Sequence, residues 1–261
     1  MIALENKEYP QILGSGEAPF LDSLAARNVL LTHAFAIRHP SLPNYLALIG
    51  GSTFGVRTDC TRCSVDETNL VDQLAAAGFS WKAYMQRMPG PCFRGAVAGT
   101  WPHQYAKKHD PFMYFRDIRE SRARCHRIVP FRQIRADLDA GLPRFAWITP
   151  DDCFNMHDCP IARGDRWLRR WVPRILPSLG TNGSLIVVFD EGSSDAGCCG
   201  LGAGGGHVPA IIAGPGAADR VRIRGDADHY SLLRLVEDAW GFDRLAHASD
   251  RSTPTIEGWS A

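Results

Sequence analysis

An α/β fold is predicted by two features of the 261-residue chain: apolar strand-like runs alternate with helix-patterned stretches, and no repeat or Pro- or Gly/Ser-rich linker divides it. Such alternation calls for a mostly parallel central sheet with helices on both faces, a three-layer sandwich. At this length one domain spanning residues 1–261 is the default. Buried strands are expected at Ile2–Leu4, Ser80–Tyr84, Phe145–Thr149, Ser184–Asp190 and Pro209–Ala213. Helices are expected at Pro19–Arg27, Pro43–Ile49, Asn69–Ala77, Phe131–Ala140, Asp165–Leu176 and Ser231–Trp240. In the last, Leu232, Leu235, Val236 and Ala239 recur at helical spacing. Thr68 is placed to cap the helix that Gly78 ends. The opening Met1-Ile-Ala-Leu-Glu5 has neither the basic start nor the apolar stretch of an export signal. Its apolar lead-in is also shorter than the usual strand of about five or six residues. The first strand is therefore expected to be truncated, with the natural polypeptide beginning upstream.

Charge and composition exclude several classes of function. Lys and Arg number 29 against 28 Asp and Glu, a net charge of +1, so no broad field favours nucleic acid or an anionic membrane as partner. With 45% hydrophobic and 22% charged residues the chain is not disordered. Its longest apolar runs, such as Leu185 to Phe189, fall far short of the roughly 18 residues of a membrane span.

Eight cysteines stand out. Cys60 with Cys63 and Cys153 with Cys159 are close pairs, Cys198 and Cys199 are adjacent, and Cys92 and Cys125 stand apart. Zinc binding is one reading. The spacing of Cys153 and Cys159, however, is wrong for the second half of a zinc ribbon, and disulfides suit an exported enzyme better. The pairing expected is 60–63, 92–125 and 153–159, with 198/199 vicinal or reduced. An extracellular or periplasmic setting follows.

In parallel sheets functional residues gather at the carboxyl ends of strands. There the first strand delivers Glu5 and Asn6, and the strand Ser184–Asp190 delivers Asp190 and Glu191. Three carboxylates and an amide at one edge call for a divalent cation between them; the alternative is that Asp190 and Glu191 cap a turn. Ser41 lies between two prolines just before a helical stretch. It is either a metal-activated nucleophile, at a helix terminus favourable to phosphate, or a plain N-cap. His109 and His157 sit in polar segments off any apolar stripe, so either can bind phosphate oxygens or protonate a leaving group. Asp158, adjacent to His157, need not orient it. His229 is read as a helix cap, and His33, His103, His126 and His247 as surface or structural residues. The glycine-rich segment 197–207 lacks a nucleotide-loop pattern and precedes a strand, so a close-packed turn is expected.

Six segments then come together: Glu5-Asn6-Lys7, His39-Pro-Ser-Leu-Pro-Asn-Tyr45, Lys108-His-Asp-Pro-Phe112, Met156-His-Asp-Cys-Pro160, Phe189-Asp-Glu-Gly192 and Asp228-His-Tyr-Ser-Leu232. Their set and order resemble the bacterial phosphoesterase family of acid phosphatases and non-haemolytic phospholipases C, within the alkaline phosphatase superfamily. The resemblance implies an alkaline-phosphatase-like fold and a metal-dependent hydrolase of phosphate esters. By residue, it implies Glu5, Asn6, Asp190 and Glu191 as metal ligands and Ser41 as nucleophile. It also implies Asn44 and Asp158 as substrate contacts, and His109 and His157 as catalytic residues. One divalent ion is implied, and oxygen ligands suit Ca²⁺, Mg²⁺ or Mn²⁺ better than Zn²⁺. Two positions depart from the family's commoner residues: His207 in place of arginine, and Asp110 in place of asparagine. The chain is short for the lipases of the family, which favours a small phosphorylated substrate and a phosphomonoesterase. The alternatives are a phosphodiesterase acting on phospholipid headgroups and a non-catalytic binder.

Overall fold

A computed structural model describes residues 1–260. Its ten strands are β1 (Ile2–Leu4), β2 (Val29–Phe35), β3 (Trp81–Met85), β4 (Val97–Thr100), β5 (His103–Ala106), β6 (Ile128–Pro130), β7 (Phe145–Thr149), β8 (Leu185–Phe189), β9 (Ala210–Ala213) and β10 (Arg222–Asp228). Eight form one sheet in the order β10-β2-β9-β8-β1-β7-β3-β6, and β4 and β5 form a separate hairpin. Only β9 runs against the others in the large sheet. The mostly parallel α/β architecture expected from the sequence is therefore the one observed.

The central strands are continuous apolar runs because both their faces are covered: β1 and β8 are buried at every position. Six helices of seven residues or more surround the sheet. They are α1 (Pro19–Arg27), α2 (Ser41–Gly50), α3 (Leu70–Ala76), α4 (Ile134–Ala140), α5 (Ile161–Ile175) and α6 (His229–Trp240). Helix α1 packs on α5, and α2 packs on α6. In α5, Trp167, Leu168, Trp171, Val172 and Ile175 form the buried stripe, and five arginines occupy the rest of the helix. No helix among the described residues is long and apolar enough to cross a membrane.

Several boundaries differ from expectation, each for a local reason. Asn69, not Thr68, caps α3: its side chain accepts from Val71 N–H at 3.0 Å and Asp72 closes a capping box. Helix α5 starts at Ile161, right after Pro160, rather than at Asp165. Strand β2 is not among the expected strands, its second half being only partly buried, and β10 carries no apolar run because as an edge strand it is largely exposed.

All eight cysteines are paired, 60–63, 92–125, 153–159 and 198–199, matching the expected connectivity. The glycine-rich segment is a close-packed turn: Gly192 N–H donates to the Gly205 carbonyl at 2.7 Å. At Gly206 φ is +102°, and a Cβ would lie 2.5 Å from a carboxylate oxygen of Glu8, so only glycine fits.

Candidate active site

Leu4 of β1 pairs with Phe189 of β8, so Glu5-Asn6 and Asp190-Glu191 leave the sheet side by side. Glu5 and Asp190 are fully buried and Glu191 is 6% exposed. Asn6 adopts a left-handed backbone (φ 52°), a conformation asparagine tolerates. Its N–H donates to Asp190 Oδ1 at 3.0 Å, as does that of Glu191 at 2.6 Å. Burial, then the charge of Asp190, raises the Glu5 carboxyl well above the usual range. Burial, then the charge of Glu191, pushes Asp190 up to about 7. Asn6 Oδ1 and Asp190 Oδ2 are buried without a hydrogen-bond partner among the described residues. Crowded carboxylates and orphaned oxygens together fit a hard divalent cation. The ligand atoms of Glu5, His109 and His157 also lie within 4.8 Å of one another, so imidazole donors are close by. Cys198, Cys199 and Asp228 cluster as tightly, but the two sulfurs are bonded to each other and offer no thiolate.

Ser41 is the first residue of α2, and its hydroxyl does not cap that helix. It lies 3.1 Å from Glu5 Oε2 and 3.0 Å from Glu191 Oε1, 1% exposed, at the centre of the carboxylate group. Around it the helix terminus is less open to an anion than its position suggests. Leu42 N–H is taken by Asp59 Oδ1 at 3.0 Å, and Pro43 has no N–H. Asn44 is also occupied. Its Oδ1 accepts from the N–H groups of Ile37 and Arg38, and its Nδ2 donates to the carbonyls of Arg38 and Pro40. Asn44 thus ties down the turn that presents Ser41 and has no group left for a ligand.

The two histidines also lie beside Glu5. His109 is buried, with Nε2 3.3 Å from Glu5 and Nδ1 3.1 Å from Asp152, though neither contact has hydrogen-bond geometry. Burial lowers its pKa. His157 is partly exposed and bonds Asp158 Oδ1 through Nδ1 at 2.7 Å. Orientation by Asp158, which adjacency alone does not guarantee, is therefore present in this bond. Lys108 Nζ lies 3.3 Å from His157 Nε2 and 3.0 Å from Asp59. Burial works against its charge, but the carboxylates of Glu5 and Asp59 outweigh it and raise its pKa.

Tyr45, His39, Asp59, Lys108 and Asp152 complete the site without having been singled out in the sequence. Tyr45 donates to Glu5 Oε1, and His39 Nδ1 bonds Glu191 Oε2. Two signals pointed to them: Tyr45 follows Ser41 by one helical turn, and Asp152 follows the carboxyl end of β7. His229 does not cap α6, since Asp228 does. It is buried, bonds the Phe189 carbonyl at 3.1 Å and anchors the end of β8, and burial lowers its pKa to about 4. His207 stacks on Tyr9 and bonds the Thr32 carbonyl at 2.8 Å, a structural role.

Comparison with known proteins gives the family and the fold. The model of the phosphoesterase family matches residues 9–243. A phosphatidylinositol-3-phosphatase of Mycobacterium tuberculosis is 30% identical, over 99% of this chain and 81% of that protein. An acid phosphatase of Aspergillus fumigatus is 29% identical over 93% of this chain, which spans 54% of the fungal protein. Among solved structures, an alkaline phosphatase superfamily protein from Vibrio parahaemolyticus superposes with a TM-score of 0.63 at 15% identity, covering 98% of this chain and 69% of the other. The lipoteichoic acid synthase LtaP of Listeria monocytogenes gives 0.64 at 11% identity, covering 99% and 75%.

Proposed function

The chain belongs to the phosphoesterase family, and from that premise we propose that it is a metal-dependent phosphomonoesterase with Ser41 as nucleophile. The observation that carries this reading is the Ser41 hydroxyl, held between Glu5 and Glu191 at a buried carboxylate cluster. Glu5, Asn6, Asp190 and Glu191 would hold the cation, with oxygen donors suited to Ca²⁺, Mg²⁺ or Mn²⁺. When bound, a divalent ion there supplies charge that neutralises the carboxylates, lowers the pKa of the serine hydroxyl and screens the incoming phosphate.

Ser41 passes its proton to a neighbouring carboxylate, Glu191 Oε1 at 3.0 Å, and its Oγ attacks phosphorus in line; the bond from phosphorus to the ester oxygen breaks and a phosphoserine forms. The departing alcohol takes a proton at the Lys108–His157 pair, where Asp158 holds His157 Nδ1 and Lys108 Nζ lies 3.3 Å from Nε2. His109, buried against Glu5 with a lowered pKa, is better suited to orienting groups than to donating that proton. Water then attacks the phosphoserine with His157 acting in reverse, and phosphate leaves. A monoester is preferred because the matched relatives are described as phosphatases. The paired cysteines and the acid-phosphatase relatives support an extracellular or periplasmic enzyme built as one phosphoesterase domain.

Turnover of p-nitrophenyl phosphate by Ser41→Ala is the test. Activity should fall by about a thousandfold or more, as for removal of other catalytic nucleophiles. Wild-type turnover in that variant overturns the nucleophile assignment. Comparison with bis(p-nitrophenyl) phosphate decides between monoester and diester cleavage.

A further inference from the structure

Beyond the carboxylates, the same sheet edge carries a cleft of about 630 Å³ at the ends of β3 and β6. Arg87, Arg132, Arg135, Arg163, Arg166 and Arg170 line it, contributed by the segments after β3 and β6, by α4 and by α5. The concentration is unusual in a chain whose net charge is +1. Arg87 pairs with Asp151 at 3.1 Å; among the described residues the other five have no carboxylate within salt-bridge distance. Guanidinium groups remain charged at any ordinary pH, so their mutual repulsion is left to solvent. The floor is aromatic. Phe131, Trp167 and Trp171 pack together, with Arg135 and Arg170 each 5.8 Å from the Trp171 ring. Placement over an aromatic ring favours a guanidinium without consuming its charge.

The cleft and the candidate active site share a wall. Asp151 faces Arg87 while the next residue, Asp152, faces His109, and Phe154 lines the cleft three residues before His157. Along the sheet, β1 and β3 are separated only by β7, with β6 next. At a strand spacing of about 4.8 Å, the cleft begins roughly 10 to 15 Å from the carboxylates.

We infer that this arginine-lined cleft is a second anion site that binds the distal phosphate or other polyanionic portion of a multiply phosphorylated substrate. Planar forked donors that lack carboxylate partners suit phosphate oxygens, and a concave cleft suits a compact polyanionic group. The bearing on turnover rests on the phosphomonoesterase reading, but the binding itself does not.

Both can be tested separately with inorganic tripolyphosphate as probe. Calorimetric titration should show binding to the wild type and to Ser41→Ala alike, weakening as sodium chloride is raised. The double reversal R166E/R170E, at exposed helix positions, should lose affinity by about tenfold or more while hydrolysing p-nitrophenyl phosphate at the wild-type rate. Absence of binding to the wild type, or undiminished binding to R166E/R170E, overturns the second site. Loss of p-nitrophenyl phosphate turnover in the wild type would instead overturn the phosphomonoesterase reading and leave the binding result standing. Sedimentation with phosphatidylcholine vesicles containing a phosphoinositide distinguishes the sources. Retention that R166E/R170E abolishes supports the site with a lipid headgroup as ligand; tripolyphosphate binding without retention supports it with a soluble ester.

Discussion

Two charged regions share the carboxyl edge of one sheet and are built in opposite ways. At β1 and β8 the charges are negative, buried, and drawn from two neighbouring strand ends. At β3 and β6 they are positive, exposed, and drawn from several segments of the chain. A buried charge must be met where it sits, since its desolvation costs several kcal/mol. An exposed one is held by water until a ligand replaces it. The first region should therefore fail when any one group changes, whereas the second should weaken in proportion to the charge removed.

The largest expected effect falls on the buried region. Asp190→Asn should reduce p-nitrophenyl phosphate turnover by about a thousandfold, several kcal/mol of lost transition-state stabilisation. The same change removes one of three crowded carboxylates, so in the presence of a chelator its melting temperature should exceed that of the wild type. Retained activity, or a lower melting temperature under chelation, would break the contrast.

Next in size is His157→Ala, which should lower kcat by about a hundredfold, the usual contribution of a positioned general acid. Asp158→Asn should cost less, since it only loosens the ring held at 2.7 Å. Measuring kcat against pH for both variants checks this. Identical losses would mean that the carboxylate does more than orient its neighbour.

The smallest effect concerns a buried carboxylate away from either region. Glu237 on α6 accepts from Leu245 N–H at 3.0 Å, while its Oε2 is buried without a partner. Burial pushes its pKa from the ordinary 4.5 up to about 7. The folded protein therefore holds this proton more tightly than the unfolded chain, and stability falls as pH rises from 4.5 through about 7. Glu237→Gln should flatten that fall, melting like the wild type at pH 4 and a few degrees higher at pH 8, on the order of 1 kcal/mol. Thermal melts at the two pH values decide it. An unchanged slope would show that burial alone does not make a carboxylate costly here.

Elements buried on both faces were legible in the sequence, because burial writes a continuous apolar run. Strands β1, β7, β8 and β9 fall within a residue or so of expectation on that signal. Strand β10, with the sequence RIRGDAD, and the hairpin β4–β5, whose first strand is largely exposed, show no such run and were not foreseen. The same limit applies to the site. Glu5, Asp190 and Glu191 could be placed because a strand end has a known direction. Asn44 looked ready for a ligand, yet the turn just before it consumes its amide, and Asp158 turned toward its own neighbour. The arginine cleft was illegible for a related reason: its charges come from separate segments, and the balance over the whole chain averages them away.

The four cystines have a consequence for where this protein can work. Three join residues only one, three or six positions apart, and the fourth spans 33. Because loop-closure entropy grows with the logarithm of the enclosed length, the short ones restrict the unfolded chain little and add correspondingly little to global stability. Two of the short ones instead constrain the rim of the candidate active site. Cys153–Cys159 encloses His157 and Asp158, and Cys60–Cys63 follows directly on Asp59. The redox state of the surroundings thus acts on the precision of the active-site rim more than on the persistence of the sheet, so a reducing compartment would hold a folded but poorly tuned enzyme.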